Sequence, residues 1–346
     1  EISCSLVGSE MCIRDSINGA ARWMTFMGVQ FQPSEVAKMA VIIVTAFILS
    51  KGQDEDGASP KAFKRIMIIT GIICLLIAPE NLSTAALLFG VVYLMMFIGR
   101  VAMKKLLILA GGLAGVAIIG VTFLVLTKNS DLPFLHRFDT WRARIEKFTN
   151  DNEVPAAKFD IDKDAQIAHA RIAVATSHVV GKGPGNSVQR DFLSQAFSDF
   201  IFAIIIEELG LIGGAFVVFL YVCLLIRVGR IAKKCERTFP AFLIIGIALL
   251  LVSQAIFNMM VAVGLAPVTG QPLPLISKGG TSTLINCAYI GMILSVSRYT
   301  ARLEEQKEHD ALIPMQVEVP AEETNSDAQT AAEPTAKVLN SDAEFE

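Results

Sequence analysis

Charge is scarce in this chain, and so are the residues that usually hold metals or disulfides. Of 346 residues only 18% are charged, four are histidine, and the six cysteines form no C-x-x-C pair. With 53% hydrophobic residues and a mean hydropathy of +0.53, the chain is too apolar for the pair of soluble domains its length would otherwise suggest. Thirty basic and 33 acidic side chains leave a net charge of -3, with no basic footprint for nucleic acid. Cys74, Cys223 and Cys287 sit in apolar stretches and read as small buried hydrophobes, so neither a disulfide framework nor a metal site is expected. His169 and His178 stand at no metal-ligand spacing and read as surface residues. The glycine-rich stretch Gly181–Gln189 (GKGPGNSVQ) lacks the G-x-x-x-x-G-K-[ST] spacing and a preceding strand, which excludes a nucleotide loop. Its glycines instead mark a tight turn that lets backbone approach another segment or a ligand.

Long apolar runs are abundant. Segments of membrane-spanning length fall near Ser34–Leu49, Ile66–Ala78, Thr84–Ile98, Leu106–Leu126, Phe200–Ile226, Ala241–Gly264 and Ser282–Ser297. The expected fold is therefore an all-α polytopic membrane protein. Basic clusters occur at Lys51–Arg65, Arg100–Lys105, Arg227–Arg237 and Arg298–Arg302. In an alternating chain all of them share one side, and the positive-inside rule makes that side the cytoplasm. The long connection Thr127–Asp199 then lies outside, and at roughly seventy residues it is too long to be idle. Within it, Gln166–Val180 reads as a short helix at the membrane surface. The first sixteen residues, Glu1–Ser16, read as neither signal peptide nor span, and a foreign leader replacing an authentic N-terminus is expected there. The stretch 303–346, rich in Glu, Ala, Thr and Pro, reads as a disordered acidic cytoplasmic tail.

The most informative stretch is Phe192–Gly213. Asp199 stands at the threshold of an apolar run, and Glu207 and Glu208 are carried into it, where ionisable groups are costly. An Asp in that position suits a helix N-cap or a catalytic carboxylate. At about 100° per residue, Glu207 is displaced by about 80° from Asp199 and Glu208 by about 180°, so at most one shares its face. The two glutamates suit either hydrogen bonding within the bundle or contact with substrate. Glu35 and Lys38, three apart, suit a helical ion pair or a polar cavity wall. Arg22 and Trp23 suit interface anchoring or headgroup binding.

The order of NGAARW, QPSEVAK, GNSVQ, SDFIFAIIIEELGLIGG and PLPLISKGGTS resembles the SEDS family of FtsW, RodA and SpoVE, with the FtsW branch nearest, over Ile17–Arg302. The resemblance implies about ten spans of some twenty residues, of which about seven are present here, and so an N-terminal truncation. It implies a peptidoglycan glycosyltransferase of the bacterial cytoplasmic (inner) membrane, working at the division septum with its active face outward. There lipid II would be joined with inversion to a glycan on undecaprenyl diphosphate. Residue by residue, Asp199 matches the proposed general base. Arg22 and Lys38 match positions suited to the lipid-linked diphosphate, Arg144 and Phe148 match an R-x-x-x-F element of the outer loop, and Glu35 and Glu208 match with roles inseparable from support. Trp23 and Glu207 join that supporting group. Lys278 stands where Tyr is common, while an upstream Lys is missing from Val268–Gly270, so Lys278, with Arg144, joins the substrate-binding candidates as a cation replacing the missing one at the second phosphate. The family's P-D-x-G-T turn is replaced by Pro79–Thr84, longer and without its glycine. Implied partners are a class B penicillin-binding transpeptidase, other divisome proteins and membrane lipid. No cofactor is certain, and a divalent cation, Mg or Mn, at the diphosphate is left open. A lipid II flippase and a non-catalytic divisome scaffold are the competing readings.

Overall fold

Each apolar run folds as a helix, and the residues just before it explain where it starts. The computed structural model describes residues 14–17, 20–26, 29–54, 57–126, 161–193 and 196–317. Pro33, whose fixed φ suits a first turn, opens α1 (Pro33–Lys51). Glu35 in its first turn and Lys51 in its last complement the helix dipole. Ser59 caps α2 (Pro60–Ile77), its Oγ accepting from Ala62 N at 3.3 Å. Asn81 caps α3 (Leu82–Ile98), accepting from Thr84 N at 3.2 Å. The unusual Pro79–Thr84 turn thus carries its own cap. Next come α4 (Met103–Leu126), α5 (Ile161–Ala175), a 3-10 turn (Gln189–Phe192), α6 (Ile201–Lys234), α7 (Thr238–Ala262) and α8 (Gly280–Val317). All seven expected spans coincide with helices, and α5 covers the first part of the expected Gln166–Val180 helix, shifted toward the N-terminus.

Among the described residues, five helices are long and apolar enough to cross a membrane: α1, α4, α6, α7 and the Gly280–His309 part of α8. α3 is as apolar but, at 17 residues, two shorter than α1, and α2 crowds Lys61, Lys64 and Arg65 into its first turns. Strands are also present, beyond the all-helical expectation. β1 (Arg14–Ile17), β2 (Ala20–Phe26) and β3 (Val29–Phe31) form an antiparallel sheet in that order, and β4 (Gln53–Asp54) pairs with β5 (Gly57–Ala58). β1 crosses the boundary at Ser16 that the sequence suggested for a leader.

α7 is the central post. It packs against α6, α1 and α3. Gly246 on α7 lies so close to Met95 of α3 and Ile42 of α1 that a Cβ there would meet them at 2.6 and 2.9 Å. Small residues permit such approach where lipid offers no hydrophobic drive for helices to associate. One cluster of apolar residues joins α1, α2, α3 and α7, and a second joins α5, α6, α7 and the segment before α8. The cysteines depart from expectation: Cys74 and Cys223 are half-buried and Cys287 is exposed. In a bilayer an exposed thiol on a span faces lipid, so the apolar setting that suggested burial is supplied by the membrane. The chain divides into the unit Glu1–Ala301 and a second unit, Arg302–Glu346.

α6 is broken at Gly210, whose φ of 73° and ψ of -173° lie outside the helical region. A Cβ at Gly210 would come within 2.2 Å of the Val179 carbonyl oxygen. Gly210→Ala is therefore expected to lower the thermal midpoint of the purified protein sharply, through at least the roughly 1–2 kcal/mol of a left-handed L-residue plus a backbone clash. Gly229→Ala, in open space on the same helix, should leave it unchanged or slightly raised. Equal midpoints would show that the break is not needed.

Candidate active site

The break leaves backbone groups of α6 without helical partners, and the glycine-rich stretch supplies them. Lys182 N donates to Glu207 O at 3.0 Å and Gly183 N to Glu208 O at 2.8 Å. On the other side of Gly210, Leu211 N donates to His178 O at 3.3 Å and Ile212 N to Val179 O at 3.4 Å. Gly181, with φ of 78°, makes the approach possible, since a Cβ there would meet Gly210 N at 2.3 Å. The tight turn read from the sequence is thus a backbone clasp on a membrane helix.

Glu207 locks the clasp. Its side chain is fully buried and accepts from Lys182 Nζ at 2.6 Å, Ser187 Oγ at 2.5 Å, and Val188 N and Gln189 N at 3.3 Å each. A buried carboxylate persists when paired and fully hydrogen-bonded, as here. Of the two roles open to Glu207, the geometry gives it the one within the protein, though toward a loop and not another span. Glu208 is half-buried and engages through its carbonyl. His169 is held by Gln189 Oε1 at 2.6 Å and stacks on Phe192, while His178 is exposed.

Asp199 lies two residues before α6, half-buried, at the end of a turn. It is not the N-cap: that position is Phe200, and the helix has no side-chain cap hydrogen bond. Ser198 Oγ donates to Asp199 Oδ1 at 3.0 Å. The turn is held by its main chain. Asn258 Nδ2 donates to Asp199 O at 2.8 Å, Ser277 Oγ to Ser198 O at 2.6 Å, and Lys278 N to Phe197 O at 2.8 Å. Lys278 therefore adjoins the turn, with an exposed side chain. The segment before α8 is itself tied to the bundle. Asn258 Nδ2 also donates to Gln271 O at 2.8 Å, Gln254 Nε2 to Pro272 O at 3.2 Å, Gln271 Nε2 to Thr84 Oγ1 at 2.6 Å, and Tyr221 OH to Pro274 O.

Glu35 and Lys38 form the ion pair their spacing suggested, at 2.7 Å, and both are buried. Lys38 Nζ also reaches Gln254 Oε1 at 3.5 Å, so through Gln254 it joins the polar seam that supports the Asp199 turn. Arg22 and Trp23 fall on β2, where Trp23 pairs with Asp15. Arg144 and Phe148 lie outside the described residues, as do 127–160 and 194–195 of the outer connection and the tail beyond 317. Gln254, Asn258, Tyr221, Ser277, Lys182 and Ser187 were not singled out from the sequence. A signal existed for two of them, because Gln254 and Asn258 are amides four apart in an otherwise apolar run.

Helical spans with buried charges, and a polar turn fixed at the head of one of them, define a polytopic membrane protein with a site at a helix threshold. The chain belongs to the FtsW/RodA/SpoVE family of cell cycle proteins, which matches residues 3–302. Curated relatives include a probable peptidoglycan glycosyltransferase FtsW of Geobacter sp. (strain M18). It is 33% identical over 287 residues, which are 82% of this chain and 73% of the relative. The corresponding protein of Enterococcus hirae is 30% identical over 287 residues, 82% of this chain and 69% of the relative. Among solved structures, a chain of a peptidoglycan synthase complex that coordinates polymerization and crosslinking superposes with a TM-score of 0.63. It is 25% identical, with 86% of this chain and 80% of that one covered. The rod shape determining protein RodA of Thermus thermophilus shares the fold, with a TM-score of 0.54, 23% identity, and 86% and 76% coverage.

Glu207→Ala leaves four donors facing a void, and a loss of about 3–5 kcal/mol is expected, as for breaking a buried pair from one side. Lys182→Met, which leaves the buried carboxylate its three other donors, should cost less than Glu207→Ala, about 1–3 kcal/mol for one lost partner of a buried group. Thermal midpoints of the two variants in detergent, compared with the parent, check this order. The reverse order would place the anchor in the lysine.

Proposed function

We propose that the chain is a peptidoglycan glycosyltransferase that polymerises lipid II into glycan strands at the division septum of the cytoplasmic (inner) membrane, with Asp199 as general base on the outward face. The observation that carries the reading is the turn Phe197–Asp199, fixed by main-chain bonds from Asn258, Ser277 and Lys278 at the head of α6. The names of the relatives support the reaction class.

In the reaction the 4-hydroxyl of an acceptor sugar attacks the anomeric carbon of a donor from the face opposite the diphosphate. The carbon–oxygen bond to the diphosphate breaks, configuration inverts, and the hydroxyl proton passes to the Asp199 carboxylate. A carboxylate held by its main chain suits this work, because general-base catalysis depends on position before basicity. The departing diphosphate gathers negative charge. Lys278, exposed beside the turn, is the described cation this reading assigns to receive it, and Arg22 and Arg144 complete the substrate-binding set. Lys38 acts from within the bundle, as a charge bound to Glu35. Glu35, Glu207, Glu208 and Trp23 support the site. Among the described residues no three His, Cys, Asp or Glu side chains cluster as a metal cage. A class B penicillin-binding transpeptidase is the partner this reading calls for, and the similarity to a chain of a peptidoglycan synthase complex supports it.

The buried Glu35–Lys38–Gln254 chain favours one second reading, transport of lipid II across the bilayer, since charges deep among spans often line pathways. The deciding experiment supplies purified lipid II to the full-length protein with its transpeptidase and resolves glycan polymer on a gel. Asp199→Asn, folded and partner-bound, is expected to lose about 10²–10⁴-fold in polymerisation rate. Equal polymerisation by both proteins would make Asp199 structural and remove the mechanism. Transfer of lipid II across liposomes without polymer from either protein would favour transport. In the same assay Lys278→Gln is expected to raise KM for lipid II more than it lowers kcat.

A further inference from the structure

Val179 and Val180 are 59% and 74% exposed, yet they adjoin a membrane helix. Val179 O accepts from Ile212 N and His178 O from Leu211 N, and Gly181 abuts Gly210. The α6 side chains on either side of the break, Leu209, Leu211 and Ile212, are 45, 56 and 61% exposed. The apolar surface of the loop therefore runs on into that of the span.

Depth follows from the helix itself. After Glu208, the next charge along α6 is Arg227, which opens the basic cluster at one membrane boundary. At 1.5 Å per residue along the unbroken stretch, Gly210 lies about 25 Å from Arg227, within the roughly 30 Å of hydrocarbon, and Asp199 lies on the far side of the break. Irregular backbone survives at that depth only when its polar groups are paired inside the protein. Around Gly210 four of them are paired with the α6 backbone: His178 O, Val179 O, Lys182 N and Gly183 N. The one charge the loop brings, Lys182, is matched by Glu207 at 2.6 Å.

The geometry points to a re-entrant segment: Val179–Gly181 inserts into the hydrocarbon beside the break in α6, with Val179 and Val180 facing lipid acyl chains. The occupant of this apolar patch is the bilayer, continuous with the lipid-facing side of α6. The head of α6 is then anchored in the membrane from two directions, by its own span and by the loop clasped to it. This placement holds whatever reaction Asp199 serves.

The test places trifluoromethylphenylalanine at position 180 of the full chain in lipid nanodiscs. Fluorine relaxation is then compared under dissolved oxygen, which concentrates in acyl chains, and under a gadolinium chelate, which stays in water. The expected result is a several-fold larger effect of oxygen than of chelate, as at a label replacing Ile212 and opposite to one replacing Gln306. Dominance by the chelate would put the segment in water and overturn the proposal. Insensitivity to both agents would show a protein surface, such as a second copy, covering the patch, and would overturn it equally. Should the label at 180 lower the thermal midpoint, the same comparison at position 179 decides.

Discussion

A helix inside a bilayer has no water to turn to, and the break at Gly210 is where that constraint governs this protein. Opening the α6 ladder there frees donors and acceptors that each cost several kcal/mol if left bare in hydrocarbon. The chain meets the demand from thirty residues upstream, with two carbonyls and two amides of 178–183. Much else depends on this clasp. It brings Lys182 and Ser187 to the Glu207 carboxylate, it allows Glu207 to remain buried, and it sets off the short helical segment that begins beside Asp199 as a unit held from both ends.

The rest of the site is built from amides and hydroxyls for a related reason. Apolar side chains pack no better against one another than against lipid tails, so helices in membranes gain specificity from close approach and interhelical hydrogen bonds. Gly246 provides the approach on α7, and Gln254, Asn258, Tyr221 and Ser277 provide the bonds. Most of these bonds end on backbone carbonyls, so they fix the path of the chain around Asp199 more than any one side chain. Lys38 extends the seam into α1, where Glu35 balances its charge.

Much of this was legible beforehand, and the exceptions share a cause. The spans could be read because twenty apolar residues in a row have few other fates, and Glu35 with Lys38 because three residues is a contact distance on a helix. The glycine-rich stretch was recognisable as a close backbone approach, but its target was not. Gly210 looks no different in sequence from Gly229 or Gly246, which sit in unbroken helix, because what breaks α6 is a partner distant along the chain. The same separation hid Lys182 from Glu207. Asp199 misled as a cap because helix starts are assigned by local preference, whereas here long-range bonds to Asn258 and Ser277 shape the turn and move the cap to Phe200. The cysteines misled because apolar surroundings mean burial only when the solvent is water.

The spacing of Gln254 and Asn258 works as a gauge. One turn apart on α7, the two amides grip consecutive carbonyls, Pro272 and Gln271, of the segment that runs toward α8. Adding or removing a single residue between them would swing one amide by about 100° away from its carbonyl. A change in length within this stretch therefore breaks one of the two grips, in contrast to surface loops, where insertions cost little. The distance between two amides on α7 thus sets the position of the segment beneath the site.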